Sequence, residues 1–100
     1  MPLDWDAVKR RYRDGAAVPT VAGNKTLEVT GADDEAIYIR GGRLWTAALE
    51  RGHLELAAEL IERGELSRSP VAFVEEYHER VTPERGTSVA HVLKDFGFVD

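Results

Sequence analysis

The sequence predicts a single α+β domain in which helices cover one face of an antiparallel sheet. Three observations lead to this class. The apolar spacing is helical at both ends of the chain and alternating in the middle. Glycines and short acids separate the alternating segments, as hairpin turns require. With 43% hydrophobic residues, the 100 residues are enough for one core. We therefore expect residues 1–100 to fold as one domain containing a helix, three to four strands and three further helices.

The first segment has the marks of a helix with one buried side. Trp5, Val8 and Tyr12 recur at the spacing of a single helical stripe. Asp4 is placed to cap the free amides at the start, and Gly15 is placed to end the helix. The other positions are mostly charged, which predicts a solvated outer side.

The middle of the chain predicts an antiparallel meander. Leu27 and Val29 alternate with polar residues, and Ile37 and Ile39 alternate with Tyr38 and Arg40. Two weaker strands are expected at 18–21 and 44–46, on either side of these two. Asp33, Asp34 and Glu35 fall between the central strands, where acids typically form a turn.

Three helices are predicted to follow. The first begins near His53 and ends at Gly64. Ser69 and Pro70 mark the start of the second, and Thr82 and Pro83 repeat that signal before the third. The buried positions are expected to be Phe73, Val74, Tyr77 and Val81 in the second helix, and Val89, Val92, Leu93 and Phe96 in the third.

The charge distribution argues against a polyanionic partner. The net charge is −5, and residues 51–100 carry six basic and ten acidic side chains. Binding to a phosphate backbone depends on clustered Lys and Arg. The half of the chain that could present a DNA-reading helix is therefore the more acidic half.

Even so, two hypotheses remain for the last two predicted helices. Their order, helix, short turn and helix, is that of a helix-turn-helix motif. In this alternative the second helix contacts nucleic acid through exposed Arg85, Thr87, Ser88, His91 and Lys94. In the other hypothesis both helices only pack, since any amphipathic pair shows the same stripe, and the charge favours this.

A protein-binding surface is predicted from the first helix and the sheet. Its basic residues are Lys9, Arg10 and Arg13, with Arg40 and Arg43 from the sheet, and its aromatic anchors are Tyr38 and Trp45. Two other interpretations of these residues compete with the binding hypothesis. The basic run is typical of a solvated helix side on which Asp6 pairs with Arg10. The first helix could also fold over Tyr38 and Trp45 and bury them.

Catalytic signatures are weak, and no catalytic, metal-binding or cofactor-binding residue is predicted. His53, His78 and His91 lack metal-ligand spacing, and there is no cysteine. We expect His91 to face outward. The segment "GNKT" lacks the glycine spacing of a phosphate loop.

Several segments together resemble a group of small prokaryotic single-domain proteins with no assigned activity. They are "DWDAVKRRYRDG", "VAGNKTLEV", "EAIYIR", "LERGHLELAAELI", "SRSP" and "SVAHVLKDFGF". The resemblance implies a compact domain and carries no functional residue. The sequence lacks secretory and membrane-spanning segments and cysteines, so we expect a cytoplasmic protein without membrane association. We also expect no cofactor, and a monomer or weak dimer. The leading hypothesis is a non-enzymatic interaction or regulatory module; the alternative is the helix-turn-helix-like nucleic-acid binder.

Overall fold

A computed structural model describes residues 2–21, 23, 25–41 and 45–100, except for the side chain of Trp45. It has one four-stranded antiparallel sheet in the order β1-β2-β3-β4, preceded by one helix and followed by three. The predicted α+β class and element order are confirmed. The elements are α1 Trp5–Arg11, β1 Ala16–Pro19, β2 Thr26–Ala32, β3 Ala36–Gly41, β4 Trp45–Glu50, α2 Arg51–Glu62, α3 Pro70–Arg80 and α4 Gly86–Asp95.

The strand register places the predicted apolar residues on one side of the sheet. Val29 pairs with Ile39, and Ile37 pairs with Leu49; all four are buried. The pairing shifts between Val29 and Gly31, which is a bulge-like irregularity in β2. The alternation seen in the sequence therefore separates a buried face from an exposed one.

The two flanking strands differ from the predicted ones: β1 is offset by two residues, and β4 is longer. β1 covers Ala16–Pro19 rather than 18–21, because the amide of Thr20 already donates to the carbonyl of Lys25 and closes the turn. β4 runs on to Glu50, beyond the predicted 44–46, while residue 44 lies outside the described residues.

The helix starts also differ from the prediction. α2 follows β4 without a loop and begins at Arg51 rather than His53. Ser69 occupies the position before α3, but its side chain makes no capping hydrogen bond; its amide donates to Ser67 Oγ. α4 begins at Gly86 rather than at Thr82 and Pro83, because Arg85 adopts a left-handed conformation with φ of +61°.

Gly86 allows α3 and α4 to pack closely. A Cβ atom at this position would collide with the ring of His78 and would lie 3.2 Å from the buried ring of Tyr77. A side chain at this position would displace the exposed ring of His78 and press on the ring of Tyr77, so glycine lets the two helices meet without either shift.

The last helix closes the core. Val89, Val92 and Leu93 are fully buried, as predicted, and α4 contacts β1, α2 and α3. Phe96 is half-buried and packs edge-to-face on Tyr12, with the ring centroids 5.7 Å apart. Complete burial of an aliphatic side chain contributes about 1.5–3 kcal/mol relative to exposure.

Tyr12 ties the first helix to the last. Its ring is fully buried, and its hydroxyl donates to Asp95 Oδ2 at 2.7 Å. Burial first, and the Asp95 carboxylate second, raise the pKa of Tyr12 well above its usual range. Arg11 Nε also lies 3.2 Å from Asp95 Oδ2. The first and last helices are therefore joined by a partly buried hydrogen bond to a carboxylate.

The prediction that Gly15 ends α1 is wrong: the helix ends at Arg11, and Gly15 closes the turn that follows, where its amide donates to the Tyr12 carbonyl. Gly15 is still a specific test of the fold. Its φ is +81°, and a Cβ atom would lie 2.9 Å from the Val29 carbonyl oxygen. Gly64 has a similar φ of +76°, but a Cβ atom there would have no neighbour within 4 Å. We expect Gly64→Ala to lose roughly 1–2 kcal/mol of unfolding free energy through the left-handed backbone alone.

We expect Gly15→Ala to lose more than Gly64→Ala, because it adds a backbone collision to the same dihedral cost. Urea denaturation of the two variants measures the difference. An equal or smaller loss for Gly15→Ala would contradict the close approach of the turn after α1 to β2.

Candidate functional site

The side of the sheet that faces away from the helices is exposed, and we call it the open face. Tyr38 is 37% exposed and Arg40 is also exposed. α1 does not cover this face, because Trp5, Val8 and Tyr12 join the core with the C-terminal helices. The exposed residues of the open face are Ala17, Pro19, Thr26, Glu28, Thr30, Tyr38, Arg40, Thr46, Ala48 and Glu50.

Tyr38 is held in place by the turn between β2 and β3. Its hydroxyl donates to Asp33 Oδ2 at 2.6 Å. The other carboxylate oxygen of Asp33 accepts the amides of Glu35 and Ala36 at 2.8 and 3.0 Å. The hydrogen bond from Tyr38, followed by those amides, lowers the pKa of Asp33. The predicted turn role of this acidic segment is confirmed, and the turn also fixes the exposed ring.

Arg40 is paired with Glu28 across the β2–β3 ladder, and their guanidinium and carboxylate are in contact. Sequence reasoning treated Arg40 as an available cation and missed both Glu28 and Asp33 as partners. The hairpin register would have indicated Glu28, because residues directly opposite each other share a face. No comparable sequence signal links Asp33 to Tyr38.

The basic residues of α1 include Lys9, which lies next to two acidic side chains. Lys9 contacts Asp34, and its Nζ lies 3.7 Å from Asp6 Oδ1. The predicted pairing of Asp6 with Arg10 is therefore wrong, since Asp6 pairs one residue earlier. Arg10 and Arg13 are exposed and line a shallow hollow beside Lys9. Lys9 and Arg40 therefore form ion pairs with different carboxylates: Lys9 with Asp34, and Arg40 with Glu28.

Two of the predicted partner-binding residues cannot be placed on this surface. Arg43 lies outside the described residues. Trp45 pairs with Gly41 in the sheet, but its side chain is also outside them. The joint aromatic anchor of Tyr38 and Trp45 stays a prediction.

The expected outward position of His91 is wrong. His91 is 8% exposed, and its Nδ1 accepts the amide of Val21 at 3.1 Å. The turn between β1 and β2 lies against this side of α4, which a helical stripe in the sequence cannot indicate. Lys94 is half-buried, and its Nζ lies 3.3 Å from the Val21 carbonyl oxygen and 3.5 Å from that of Thr20.

The other residues of the nucleic-acid alternative lie near the start of α4. Arg85 and Thr87 are exposed, and Ser88 is half-buried. His91 and Lys94 are engaged with the β1–β2 turn, so the structure does not bring the five residues together as one exposed surface.

A cavity of about 50 Å³ lies between the end of β4 and the α3–α4 turn, and we call it the β4 cavity. It brings together polar residues that sequence reasoning left unconnected. His53 Nδ1 lies 3.2 Å from Glu50 Oε2. Burial first, and the charge of Glu50 second, raise the pKa of Tyr77 to about 12. The lining residues are Ala48, Leu49, Glu50, His53, Tyr77, Thr82, Glu84, Arg85 and Val89.

Metal and membrane features are not found in the part of the chain that the structure describes. There, no group of three or more His, Asp or Glu residues could hold a metal ion. None of the described helices is both long and apolar enough to cross a bilayer.

Comparisons of the chain with protein-family models, curated proteins and solved structures gave no match. The resemblance to small prokaryotic proteins therefore stays a prediction.

The burial of His91 predicts a pH dependence of stability. Desolvation, and secondarily the charge of Lys94, lower the pKa of His91 below its ordinary value of about 6.5. The unfolded chain then takes up a proton at a higher pH than the folded chain does. The contribution of neutral His91 to stability is complete above about pH 6.5 and is lost as the pH falls through the folded-state pKa.

His91→Asn offers an acceptor near the position of Nδ1 but does not titrate. We expect wild type to lose more stability than this variant between about pH 7.5 and about pH 5.5, as measured by urea midpoints. A stability difference between the two proteins that is the same at both pH values would contradict the assignment.

Proposed function

We propose that the chain is a non-enzymatic binding domain that engages a protein partner through the open face of its sheet. The observation that carries this proposal is the exposed side of the sheet, where Tyr38 is held by Asp33 and Arg40 by Glu28. Tyrosine and arginine are over-represented among the residues that dominate protein interfaces.

The fixed position of Tyr38 supports this role. Immobilising a side chain on binding costs roughly 0.5–1.5 kcal/mol. A ring that is already held by a hydrogen bond of 2.6 Å avoids part of that cost. The neighbouring outward positions on β4, Thr46 and Ala48, are small, so a partner could approach the ring closely.

The environments of His91 and His78 support a non-catalytic role. His91 Nδ1 accepts a backbone amide. In the neutral ring this nitrogen carries the one free lone pair, which a general base would need. His78 is exposed on α3, and its ring faces the edge of the Tyr77 ring.

The nucleic-acid alternative loses support from the same contacts. His91 and Lys94 contact the β1–β2 turn through Val21, so they are not free to contact bases. The net charge of −5 also disfavours binding to a polyanion.

Site-specific photo-crosslinking tests the proposed surface. A crosslinking amino acid at Thr46, which pairs with Arg40, leaves Tyr38 intact. A matched control carries the same amino acid at Val71, which is 76% exposed on α3. In extract of the source cells, we expect a protein adduct from position 46 and none from position 71.

Tyr38→Ala, introduced into the variant with the crosslinker at position 46, should reduce that adduct by about tenfold, as the loss of a central interface aromatic does. Equal adducts from positions 46 and 71 would contradict the proposal. An adduct that nuclease digestion shortens would favour a nucleic-acid partner instead.

A further inference from the structure

We propose that His91 is a pH-sensitive switch whose protonation releases the β1–β2 turn from α4 while the core stays folded. The inference goes beyond the proposed function and does not rest on it, because the contact between His91 and Val21 involves none of the residues of the open face. The described residues of this turn are Thr20, Val21, Gly23 and Lys25.

The hydrogen bond between the turn and α4 exists only while His91 is neutral. The Val21 amide donates to His91 Nδ1 at 3.1 Å, so this nitrogen carries a lone pair and the ring proton is on Nε2. In an imidazolium both ring nitrogens carry a proton. Protonation therefore sets the Nδ1–H against the Val21 N–H, and the hydrogen bond is lost because both groups are donors.

The surroundings of His91 do not compensate the added charge. The residue is 8% exposed, so an imidazolium there loses most of its hydration. Lys94, one turn further along α4, disfavours a second positive charge. Asp95, the nearest acid in the sequence, is engaged by Tyr12 and Arg11 instead. Within the described ranges, no carboxylate of the sheet, α2 or α3 is found to act on His91.

The other polar contacts between α4 and the turn are long. Lys94 Nζ lies 3.3 Å from the Val21 carbonyl oxygen and 3.5 Å from that of Thr20. Hydrogen bonds from nitrogen to oxygen are usually about 2.7–3.2 Å long. The bond to His91 is therefore the better formed of the polar contacts that hold the turn, and its loss weakens the docking most.

The turn can leave α4 without disrupting the sheet. Its internal hydrogen bonds, from the Thr20 amide to the Lys25 carbonyl and from the Gly23 amide to the Thr20 carbonyl, do not involve α4. β1 is held by its ladder with β2. Val21 is only half-buried against the core, so release exposes little apolar surface. Segments with few buried contacts open at a lower free energy than the whole fold does.

Release also changes the charge that α4 presents to solvent. His91 and Lys94 are three positions apart, on one side of the helix. At neutral pH both contact the turn. After release, an imidazolium and an ammonium group are exposed together, so acidification uncovers a pair of cations.

The test is a pH titration of the isotopically labelled protein, from about pH 7.5 to about pH 4.5, followed by NMR. The His91 ring nitrogens report its protonation, and the hydrogen-exchange protection of the Val21 amide, corrected for intrinsic exchange, reports the contact with α4. We expect Val21 to lose about tenfold in protection as His91 titrates, because its amide loses an acceptor. The amides of β3 and α4 should keep their protection.

Two variants assign the effect to His91. His91→Asn keeps an acceptor but does not titrate, so the protection of Val21 should stay constant over this range. His78→Asn, which removes an exposed histidine on α3, should leave the response of Val21 as in wild type. If His91→Asn does not fold, Lys94→Gln decides: without the neighbouring charge, the midpoint of the Val21 response should move to higher pH.

Four results would overturn the proposal. They are constant Val21 protection while His91 titrates, a fall in protection that persists in His91→Asn, a midpoint that Lys94→Gln leaves unchanged or lowers, and a simultaneous loss of protection in β3, α4 and Val21. The last result would mean that the whole protein unfolds instead of releasing one turn.

Discussion

The burial of α4 among β1, α2 and α3 is the interaction on which the rest of the structure depends. Its fully buried side chains complete the core that the sheet and the other helices leave open. The same helix carries Asp95, which accepts the hydroxyl of Tyr12 and ties the first helix to the last. It also carries His91, which accepts the amide of Val21 and holds the β1–β2 turn. One helix therefore completes the core and also holds two distant segments of the chain, the first helix and the β1–β2 turn.

All four helices join the core on a single side of the sheet. An antiparallel sheet tolerates this arrangement, because its second face can be solvated when its side chains are polar. Here that second face is the open face, with Tyr38 and Arg40 each held by an acidic neighbour. The β4 cavity adjoins it through Ala48 and Glu50. The proposed partner surface therefore depends on the helices remaining on the opposite side.

Local periodicity was enough to predict the element order and most of the core. Val89, Val92 and Leu93 follow a helical spacing, and Ile37 and Ile39 alternate with Tyr38, so their faces could be assigned from the sequence. His91 could not, because its burial depends on a turn 70 residues away in the chain. Nor could the start of α4, which depends on the left-handed conformation of Arg85. The β4 cavity was missed because Glu50, Tyr77 and Glu84 come from separate elements, and only tertiary packing brings them together.

The covered and open sides of the sheet are distinguished most directly by the reactivity of the three tyrosines of the chain. Tyr38 is 37% exposed, whereas Tyr12 and Tyr77 are buried in the core. Brief hydroxyl-radical oxidation of the folded protein, followed by peptide mass spectrometry, reports the accessibility of each ring separately. Oxidation concentrated on Tyr38, with Tyr12 and Tyr77 reacting only after denaturation, is the predicted result. Protection of Tyr38, or oxidation of Tyr12 or Tyr77 at a similar rate in the folded protein, would contradict the division of the sheet into a core side and an exposed side.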